Sequence, residues 1–225
     1  MYHFFKHKRT MKKILKLLNW IFISRISLIK KSKLKASMFT FVQNSIIGKY
    51  CGIEKGVSIY NSEIGDYTYF NKFSRIENCK VGKFSSIGES VKIGGFYKHK
   101  QGISLHPSFH SKKPPINISF YLDRNFETTN KIIIGNDVFI GTGAYIMDGV
   151  EVGDGCIIGA KTIVTKSLEP YSIIVGNPGS IIRKRFNPEQ IKKLLKVKWW
   201  NWDNKRLTKY GAELSNTNFE IFKND

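Results

Sequence analysis

The sequence from Ile134 to Val164 reads IGNDVF IGTGAY IMDGVE VGDGCI IGAKTI V. An aliphatic residue returns at every sixth position, at Ile134, Ile140, Ile146, Val152, Ile158 and Val164. Gly follows several of them, and a small or β-branched residue stands four places after the aliphatic one, at Val138, Ala144, Val150, Cys156 and Thr162. Periodicity of this kind is typical of solenoids, in which each repeat is one structural unit.

The repeat extends upstream with interruptions. The aliphatic residue and its small partner recur from Ile47 to Val91, and the spacing shortens by one residue before Ile64 and before Val81. A period of six is too long for one helical turn and holds three strand periods, so each unit is predicted to be a short strand that ends in a turn. Three units then close one triangular coil, and successive coils stack at about 4.8 Å. The pattern therefore predicts an all-β parallel β-helix, a hexapeptide-repeat prism with a dry interior.

An ordinary β-sandwich with Gly-rich turns is the alternative fold. Sandwich strands recur roughly every 8 to 12 residues and alternate with a period of about two. The unbroken six-residue period between Ile134 and Val164 favours the prism.

The repeat is confined to the middle of the chain. The predicted segments are a basic N-terminal arm, the prism and a C-terminal helical tail, at residues 1–40, 41–182 and 183–225. The repeat is lost between Ile93 and Ile132, which predicts an active-site excursion loop over residues 94–131. Loops of this length are usually functional or disordered, and the aromatic residues here favour a packed loop that walls a pocket.

The tail begins with a helix signal. Asn187 is followed by Pro188 and Glu189, which places Pro at the first helical position. An apolar stripe follows, and the tryptophans at Trp199, Trp200 and Trp202 are predicted to pack this helix onto the prism.

The charge of the chain is high and unevenly distributed. The formal net charge is +20, and no Asp or Glu precedes Glu54. Residues 1–40 have the pattern of a basic amphipathic helix, for which two roles stay open: a cap on the first coil, or peripheral contact with an anionic membrane through residues 1–35. Nucleic acid is not expected as a partner, because no recognised nucleic-acid module accompanies the charge.

The cysteines and the apolar segments bear on localisation. Three cysteines lack metal-ligand spacing, at Cys51, Cys79 and Cys156. Their odd number argues against a closed disulfide framework and suits a reducing compartment. The apolar run from Leu17 to Ile29 is interrupted by Arg25 and is short for a membrane span. We therefore expect a cytoplasmic protein, with attachment at the inner face of the membrane as the open alternative.

The excursion loop carries histidines that suit acid–base chemistry, at His99, His106 and His110. A neutral imidazole has a pKa of about 6.5 and acts well as a general base near neutral pH. The same trio invites a zinc site, but all three share one loop, so no metal is expected. Cys156 occupies an inward small position and is interpreted as a core residue, not a nucleophile.

Three stretches of the chain resemble the hexapeptide-repeat acetyltransferases, in particular the branch of xenobiotic acetyltransferases and related polysaccharide O-acetyltransferases. The stretches are His99 to Pro107, Ile134 to Pro178 and Arg185 to Trp202, and they include HKQGISLHP, VTKSLEPYSIIVGNP and WWNW. The resemblance implies a left-handed β-helix, a homotrimer, and acetyl-coenzyme A (acetyl-CoA) as co-substrate, bound along the outside of the prism near a subunit boundary. It also implies that one loop histidine is the catalytic base.

The resemblance also assigns residues. It places the base at His99, five residues before Ser104, whereas the longer spacing of many polysaccharide enzymes would place Lys98 at that position. Apart from the resemblance, acceptor contacts are expected from His106 and Tyr97, and for His106 the roles of base and of structural neighbour also stay open. Coenzyme contacts carry over to Gly141, Thr142, Ala160, Thr165, Lys166 and Arg183, of which the last two would bind phosphates.

The activity implied by the resemblance is transfer of an acetyl group from acetyl-CoA to a hydroxyl of a sugar, in a surface polysaccharide or its precursor. The alternative acceptor is an antibiotic of the chloramphenicol or streptogramin type, which the short spacing between His99 and Ser104 favours. A noncatalytic scaffold on the same fold is the alternative of another class. The presence of His99 together with Lys166 argues against that scaffold.

Overall fold

The computed structural model describes residues 33–37, 39–95, 103–104, 106–109, 116–120, 131–217 and 219–222. The strands in these ranges form three sheets, which the chain visits in strict rotation. Neighbouring strands in each sheet are parallel, apart from the last pair of the first sheet. The predicted parallel β-helix is therefore confirmed. The predicted N-terminal arm up to residue 32, together with Tyr97, Lys98, His99 and His110, lies outside the described residues.

The strands are short, and each sheet is a ladder of one strand per coil. Sheet 1 contains β1 (Lys35–Ala36), β4 (Gly52–Ile53), β7 (Tyr69–Phe70), β10 (Ser86–Ile87), β13 (Phe139–Ile140), β16 (Ile157–Ile158), β18 (Ser172–Val175) and β19 (Ser180–Lys184). Sheet 2 contains β2 (Phe41–Gln43), β5 (Ser58–Tyr60), β8 (Arg75–Glu77), β11 (Lys92–Ile93), β14 (Tyr145–Ile146) and β17 (Ile163–Val164). Sheet 3 contains β3 (Ile46–Ile47), β6 (Glu63–Ile64), β9 (Cys79–Val81), β12 (Ile132–Ile134) and β15 (Glu151–Val152).

The core is the row of inward aliphatic side chains. Each of the six aliphatic repeat positions from Ile134 to Val164 is at most 2% exposed, so the predicted inward face is confirmed. The turns between strands form three corners: the first joins sheet 1 to sheet 2, the second joins sheet 2 to sheet 3, and the third joins sheet 3 to sheet 1. Burial of these side chains contributes roughly 25 cal/mol for each Å² of apolar surface removed from water.

The shortened repeats have a structural cause at the second corner. Asn44, Asn61 and Asn78 stand there in successive coils with φ of 49°, 48° and 52°. Asn enters this left-handed region more readily than most residues, so it can turn the chain sharply. The Asn44 Nδ2 donates to the Asn61 Oδ1 at 3.3 Å, which joins two of these turns. The tight turn accounts for the missing residue before Ile64 and before Val81.

Small polar side chains join successive coils from inside the corners. The Thr68 hydroxyl donates to the Gly82 carbonyl at 2.8 Å, and the Ser74 hydroxyl donates to the Gly88 carbonyl at 2.7 Å. The Ser74 oxygen also accepts from the Val91 amide at 3.2 Å. These contacts satisfy backbone groups that the turn removes from the ladder. Where the small residue of a repeat is Ser or Thr, it therefore contributes a hydrogen bond as well as fitting the corner.

The C-terminal tail contains three helices, α1 (Pro188–Val197), α2 (Asn204–Lys209) and α3 (Gly211–Leu214). The predicted helix start is confirmed, because Asn187 caps α1 and exchanges hydrogen bonds with Gln190 in a capping box. The ring centroids of Trp199 and Phe84 lie 5.0 Å apart, so Trp199 packs the tail onto the prism as predicted, whereas the Trp202 ring lies 5.8 Å from those of Tyr210 and Phe222 within the tail. None of the helices in the described ranges has the length and apolarity needed to cross a bilayer.

The limits of the prism differ from the predicted ones at both ends. The solenoid already begins at β1, before the boundary predicted at residue 41, and Leu34 lies in its core. At the other end β19 spans the boundary predicted between residues 182 and 183. The excursion leaves after Ile93, where β11 ends, and the chain re-enters the solenoid at Ile132, where β12 begins.

Candidate functional site

Most of the predicted coenzyme residues lie at the two ends of the last strands of sheet 2. Thr142 occupies the first corner just before β14, and Ala160 occupies the same corner one coil further on, before β17. Thr165 and Lys166 directly follow β17 at the second corner. All four are exposed. The structure therefore gathers residues that are up to 24 positions apart in sequence around the outer face of β14 and β17.

Close packing between coils fixes the backbone at the first corner. A Cβ on Gly141 would lie 2.5 Å from the Ala160 nitrogen, so only glycine fits there. The Gly141 amide donates to the Ile158 carbonyl at 2.7 Å, and the Lys161 amide donates to the Thr142 carbonyl at 2.8 Å. The Gly141 amide is thus part of the ladder. Thr142 and Ala160, in contrast, are exposed at this corner.

The excursion that carries His99 is rooted at the second corner. Gly94 follows β11 there with φ of 72°, and its amide donates to the Ile146 carbonyl at 3.0 Å. The next coil places Asp148 beside this root, because a Cβ on Gly94 would lie 3.3 Å from the Asp148 Oδ1. The loop therefore leaves the prism beside the Thr165 end of sheet 2.

Asp148 is a feature of the site that the repeat pattern did not indicate. Its side chain is 4% exposed, although it stands in a corner where the repeat specifies no acidic residue. If Gly94 carried a Cβ, that atom would also lie 2.9 Å from the Cδ1 of Ile132. Ile132 is the first residue of β12, the strand with which the chain returns from the excursion. Asp148 thus lies where the outgoing and returning ends of the loop meet. Asp66 and Asp154 stand at the same place in their own repeats, so the sequence alone does not distinguish Asp148.

Between the two corners, the outer face of sheet 2 combines apolar and basic groups. Tyr145 and Ile163 point outward from β14 and β17, and the Lys92 Nζ lies 5.3 Å from the centroid of the Tyr145 ring. Lys161, exposed with φ of 57°, adds a cation at the first corner. Lys161 was not predicted as a site residue, although it directly follows Ala160.

Arg183 stands apart from the other predicted coenzyme residues. It lies on β19, opposite Ile173 of β18, and so belongs to sheet 1 and not to sheet 2. Its guanidinium is exposed, and the Nη1 donates to the Lys184 carbonyl at 3.2 Å. The chain reverses direction after β18, so β19 is antiparallel to it. The six-residue repeat does not predict this reversal, and therefore it does not predict the position of Arg183.

His106 belongs to a short 3-10 turn at Pro107–Phe109. Its Nδ1 accepts from the Ser108 amide at 3.3 Å, and its own amide donates to the Ser104 hydroxyl at 3.2 Å. The imidazole is exposed and helps to begin the turn. Nearby, the rings of Phe109 and Phe120 stack at 5.3 Å, which agrees with the expectation of aromatic packing in the excursion.

Cys156 is a core residue, as predicted. It is fully buried, and its thiol donates to the Glu169 carbonyl at 3.2 Å. Burial raises the pKa of this thiol, which keeps it protonated and unreactive near neutral pH. Within the described ranges no cluster of three His, Cys, Asp or Glu side chains is arranged to hold a metal ion.

The repeat and the three-sheet prism define a hexapeptide-repeat solenoid. Residues 131–166 match the family described as bacterial transferase hexapeptide (six repeats). The chain is 40% identical over 133 residues to a probable macrolide acetyltransferase of Lysinibacillus sphaericus, a match that covers 56% of this chain and 70% of that protein. The chain therefore belongs to the hexapeptide-repeat acetyltransferases.

Other relatives match over a smaller share of their length. A chloramphenicol acetyltransferase of Klebsiella aerogenes is 34% identical over 122 residues, which cover 53% of this chain and 57% of that protein. The chain thus spans little more than half of this relative.

A solved structure of the same fold is AntD, an N-acyltransferase from Bacillus cereus in complex with dTDP and 3-hydroxybutyryl-CoA. It has a TM-score of 0.58 at 18% identity and covers 87% of this chain and 99% of that chain. At this identity the likeness concerns the fold.

Proposed function

We propose that the chain transfers an acetyl group from acetyl-CoA to a hydroxyl group, with His99 as general base. The observation that carries the proposal is the placement of Thr142, Ala160, Thr165 and Lys166 around sheet 2, beside the root of the loop that contains His99. The relatives named as chloramphenicol, macrolide and virginiamycin A acetyltransferases support the reaction class.

The reaction needs positioning and one proton transfer. A thioester already has a good leaving group, so a hydroxyl oxygen can attack the acetyl carbonyl directly, without a covalent enzyme intermediate. His99 would remove the hydroxyl proton as the new C–O bond forms, and the proton then passes to the departing thiolate of coenzyme A. A positioned base of this kind contributes roughly a hundredfold to ten-thousandfold in rate.

The outer face of sheet 2 suits the coenzyme. Tyr145 and Ile163 offer an apolar bed for the pantetheine arm between the two corners, and Thr142 and Thr165 offer hydroxyls at its ends. Lys166 stands at one end of this bed, as a cation for a phosphate group.

Further basic residues are placed for the remaining phosphates. Lys161 adds a cation at the first corner, next to the predicted contact Ala160. Arg183, on sheet 1, is proposed to bind a phosphate that extends past the first corner. The known AntD complex includes an acyl-CoA, which supports a coenzyme of this type on the prism.

The leading acceptor is a sugar hydroxyl in a surface polysaccharide or its precursor, with the prism acting as a homotrimer in the cytoplasm or at the inner face of the membrane. A basic N-terminal segment suits such a membrane-borne acceptor. Tyr97 and His106 are proposed to contact it.

A xenobiotic acceptor is the second candidate. The names of the relatives favour it, since they include chloramphenicol, macrolide and virginiamycin A acetyltransferases. A thiol-release assay with acetyl-CoA, run in parallel on sugars, chloramphenicol, a macrolide and a streptogramin, separates the two candidates. Absence of coenzyme binding would instead support the noncatalytic scaffold.

The base assignment is tested with His99→Ala. Turnover of acetyl-CoA should fall about a hundredfold or more, because the proton acceptor is lost, while coenzyme binding stays nearly intact. The matched control is His106→Ala in the same excursion, which should cost less. Coenzyme binding is measured before kinetics, because collapse of the loop would also lower turnover. If His99→Ala keeps more than half of the wild-type rate while His106→Ala loses it, the base is His106.

A further inference from the structure

A cavity of about 160 Å³ lies between the C-terminal tail and the third corner of the prism. The rings of Tyr171, Phe186, Trp199 and Phe219 form much of its wall. None of the proposed coenzyme residues lines it. The cavity is large enough for a small organic molecule, and it stands apart from the acetyl-transfer site.

Two buried polar atoms belong to residues that line this cavity. Tyr171 is 1% exposed, and its hydroxyl has no hydrogen-bond partner among the described residues. The Glu213 Oε2 is likewise shielded from solvent and has no donor within the described part of the chain. A buried hydroxyl or carboxylate oxygen without a partner is costly, so such atoms in native proteins are satisfied by an ordered water, an ion or another bound molecule, or they serve a function.

The charged side chains that line the cavity determine which kind of molecule it can bind. The Arg185 Nη1 donates to the Asp137 Oδ2 at 3.0 Å and to the Gly155 carbonyl at 2.7 Å. Its guanidinium also lies 5.5 Å from the centroid of the Tyr171 ring. Arg185 and Asp137 therefore offset each other, and among the described residues that line the cavity Glu213 remains as the uncompensated charge. A cation complements this arrangement, because aromatic faces also attract positive charge.

We propose that the cavity binds a small primary amine, whose ammonium group donates to Glu213 and Tyr171 and whose apolar body packs against the aromatic rings. An ammonium carries three donors and no acceptor, which matches a carboxylate oxygen and a hydroxyl oxygen that both lack donors. Because Glu213 lies on α3 and Tyr171 on the prism, the amine joins the tail to the solenoid. Its binding therefore stabilises the folded protein.

The test uses the full-length protein and three probes of similar shape: benzylamine, benzyl alcohol and benzoate. Calorimetry should show saturable binding of benzylamine, with benzyl alcohol at least tenfold weaker and benzoate not binding. Benzylamine should also raise the melting temperature in a concentration-dependent way.

Variants assign the binding to this cavity. Glu213→Gln keeps the size of the side chain but removes its charge, and it should weaken benzylamine at least tenfold. Tyr171→Phe should weaken it severalfold. The matched control is Glu220→Gln, since Glu220 is an exposed carboxylate of the same tail, and this variant should bind like the wild type. Circular dichroism checks folding, and Glu213→Ala, which also removes the charge, replaces Glu213→Gln if that variant does not fold.

Three results would overturn the proposal. Tighter binding of benzoate than of benzylamine would mean that Arg185 makes the cavity an anion site. Wild-type affinity in Glu213→Gln would place the amine elsewhere. No binding of benzylamine, combined with a higher melting temperature in Tyr171→Phe, would mean that the hydroxyl is merely buried. Acetyl-CoA turnover is not a readout, so these outcomes are independent of the proposed enzyme activity.

Discussion

Thiols take the place of hydroxyls at two inward corner positions of the prism. The Cys51 thiol donates to the Gly65 carbonyl at 3.2 Å, in the same arrangement that the Thr68 hydroxyl makes with the Gly82 carbonyl. A thiol is a weaker donor than a hydroxyl but is more readily buried. The repeat therefore accepts Cys51 and Cys156 at corners that need a small side chain with a donor.

The buried thiols predict a loss of stability at high pH. Burial raises the pKa of Cys51 to about 11 and raises the pKa of Cys79 and Cys156 as well. Unfolded thiols ionise near pH 8.5, roughly the ordinary value, whereas the folded thiols stay protonated. The folded state then holds more protons, so the free energy of unfolding should fall as pH rises above about 8.5.

Urea unfolding between roughly pH 7.5 and pH 10 measures this effect. Lysines and tyrosines also ionise in this range, so the informative comparison is with Cys79→Ala, which removes one buried thiol. The variant should have a lower free energy of unfolding but a shallower dependence on pH. Parallel curves for the two proteins would show that Cys79 does not carry the effect.

The N-terminal cap of helix α1 affects how the tail packs on the prism. The capping box at Asn187 satisfies amides that the first helical turn cannot bond internally. Leu194 then faces the cluster that contains Tyr171 and Phe222, so the cap fixes the helix that holds the tail against the prism. The cap formed by Asn187 and Gln190 thus helps to position the whole helical tail.

Asn187→Ala should lower the free energy of unfolding by about 1 kcal/mol, because it removes the side-chain acceptor of the cap. Asn187→Asp is the matched control, since its carboxylate accepts the same bond and also faces the positive end of the helix dipole. Urea titrations followed by tryptophan fluorescence report on the tail through Trp199 and Trp200. Equal losses in the two variants would show that the cap bond contributes nothing.

Periodicity explains why some elements were predictable and others were not. Ile140 and Ile158 were predicted to point inward because only one face of a short strand can enter the prism, and both do. The sheet assignment of Arg183 was not predictable, because β19 runs against the repeat. The cavity at Tyr171 and Glu213 was also missed, since its walls come from segments 42 residues apart that no shared period connects.

At the scale of the whole molecule, sheet 1 presents an apolar outer face. Tyr69 on β7 is 41% exposed, and Phe139 on β13 is 52% exposed, with only Ser86 of β10 between them. Exposed aromatic side chains in one row are typical of surfaces that contact another chain. Three prisms can close around a threefold axis through flat faces of this kind. This face is our candidate for the subunit contact of the proposed homotrimer.

Light scattering should therefore give about three times the chain mass of 25.9 kDa. Phe139→Glu places a charge on the proposed contact and should lower the mass toward that of one chain. Glu63→Gln, on the outer face of sheet 3, is the control and should leave the assembly unchanged. A wild-type monomer that turns over acetyl-CoA would contradict the homotrimer.

The role of the basic N-terminal segment is tested by removing residues 1–32, which leaves Leu34 and β1 in place. If this segment contacts membranes, its loss should reduce sedimentation with anionic vesicles, because the main cluster of positive charge is gone. Added salt should have the same effect on the full chain. Aggregation or a large drop in melting temperature after truncation would instead identify the segment as a cap on the first coil.

The reversal at β19 also limits how these molecules can associate. A parallel solenoid whose last coil is open offers unpaired backbone groups, which can template the next chain and seed fibre growth. Here β19 runs antiparallel across β18 and carries Arg183 and Lys184, while the Gly179 amide donates to the Ile163 carbonyl above sheet 2. Charged residues on a reversed outer strand discourage further pairing. The reversed strand β19 thus discourages end-to-end polymerisation at this end of the solenoid.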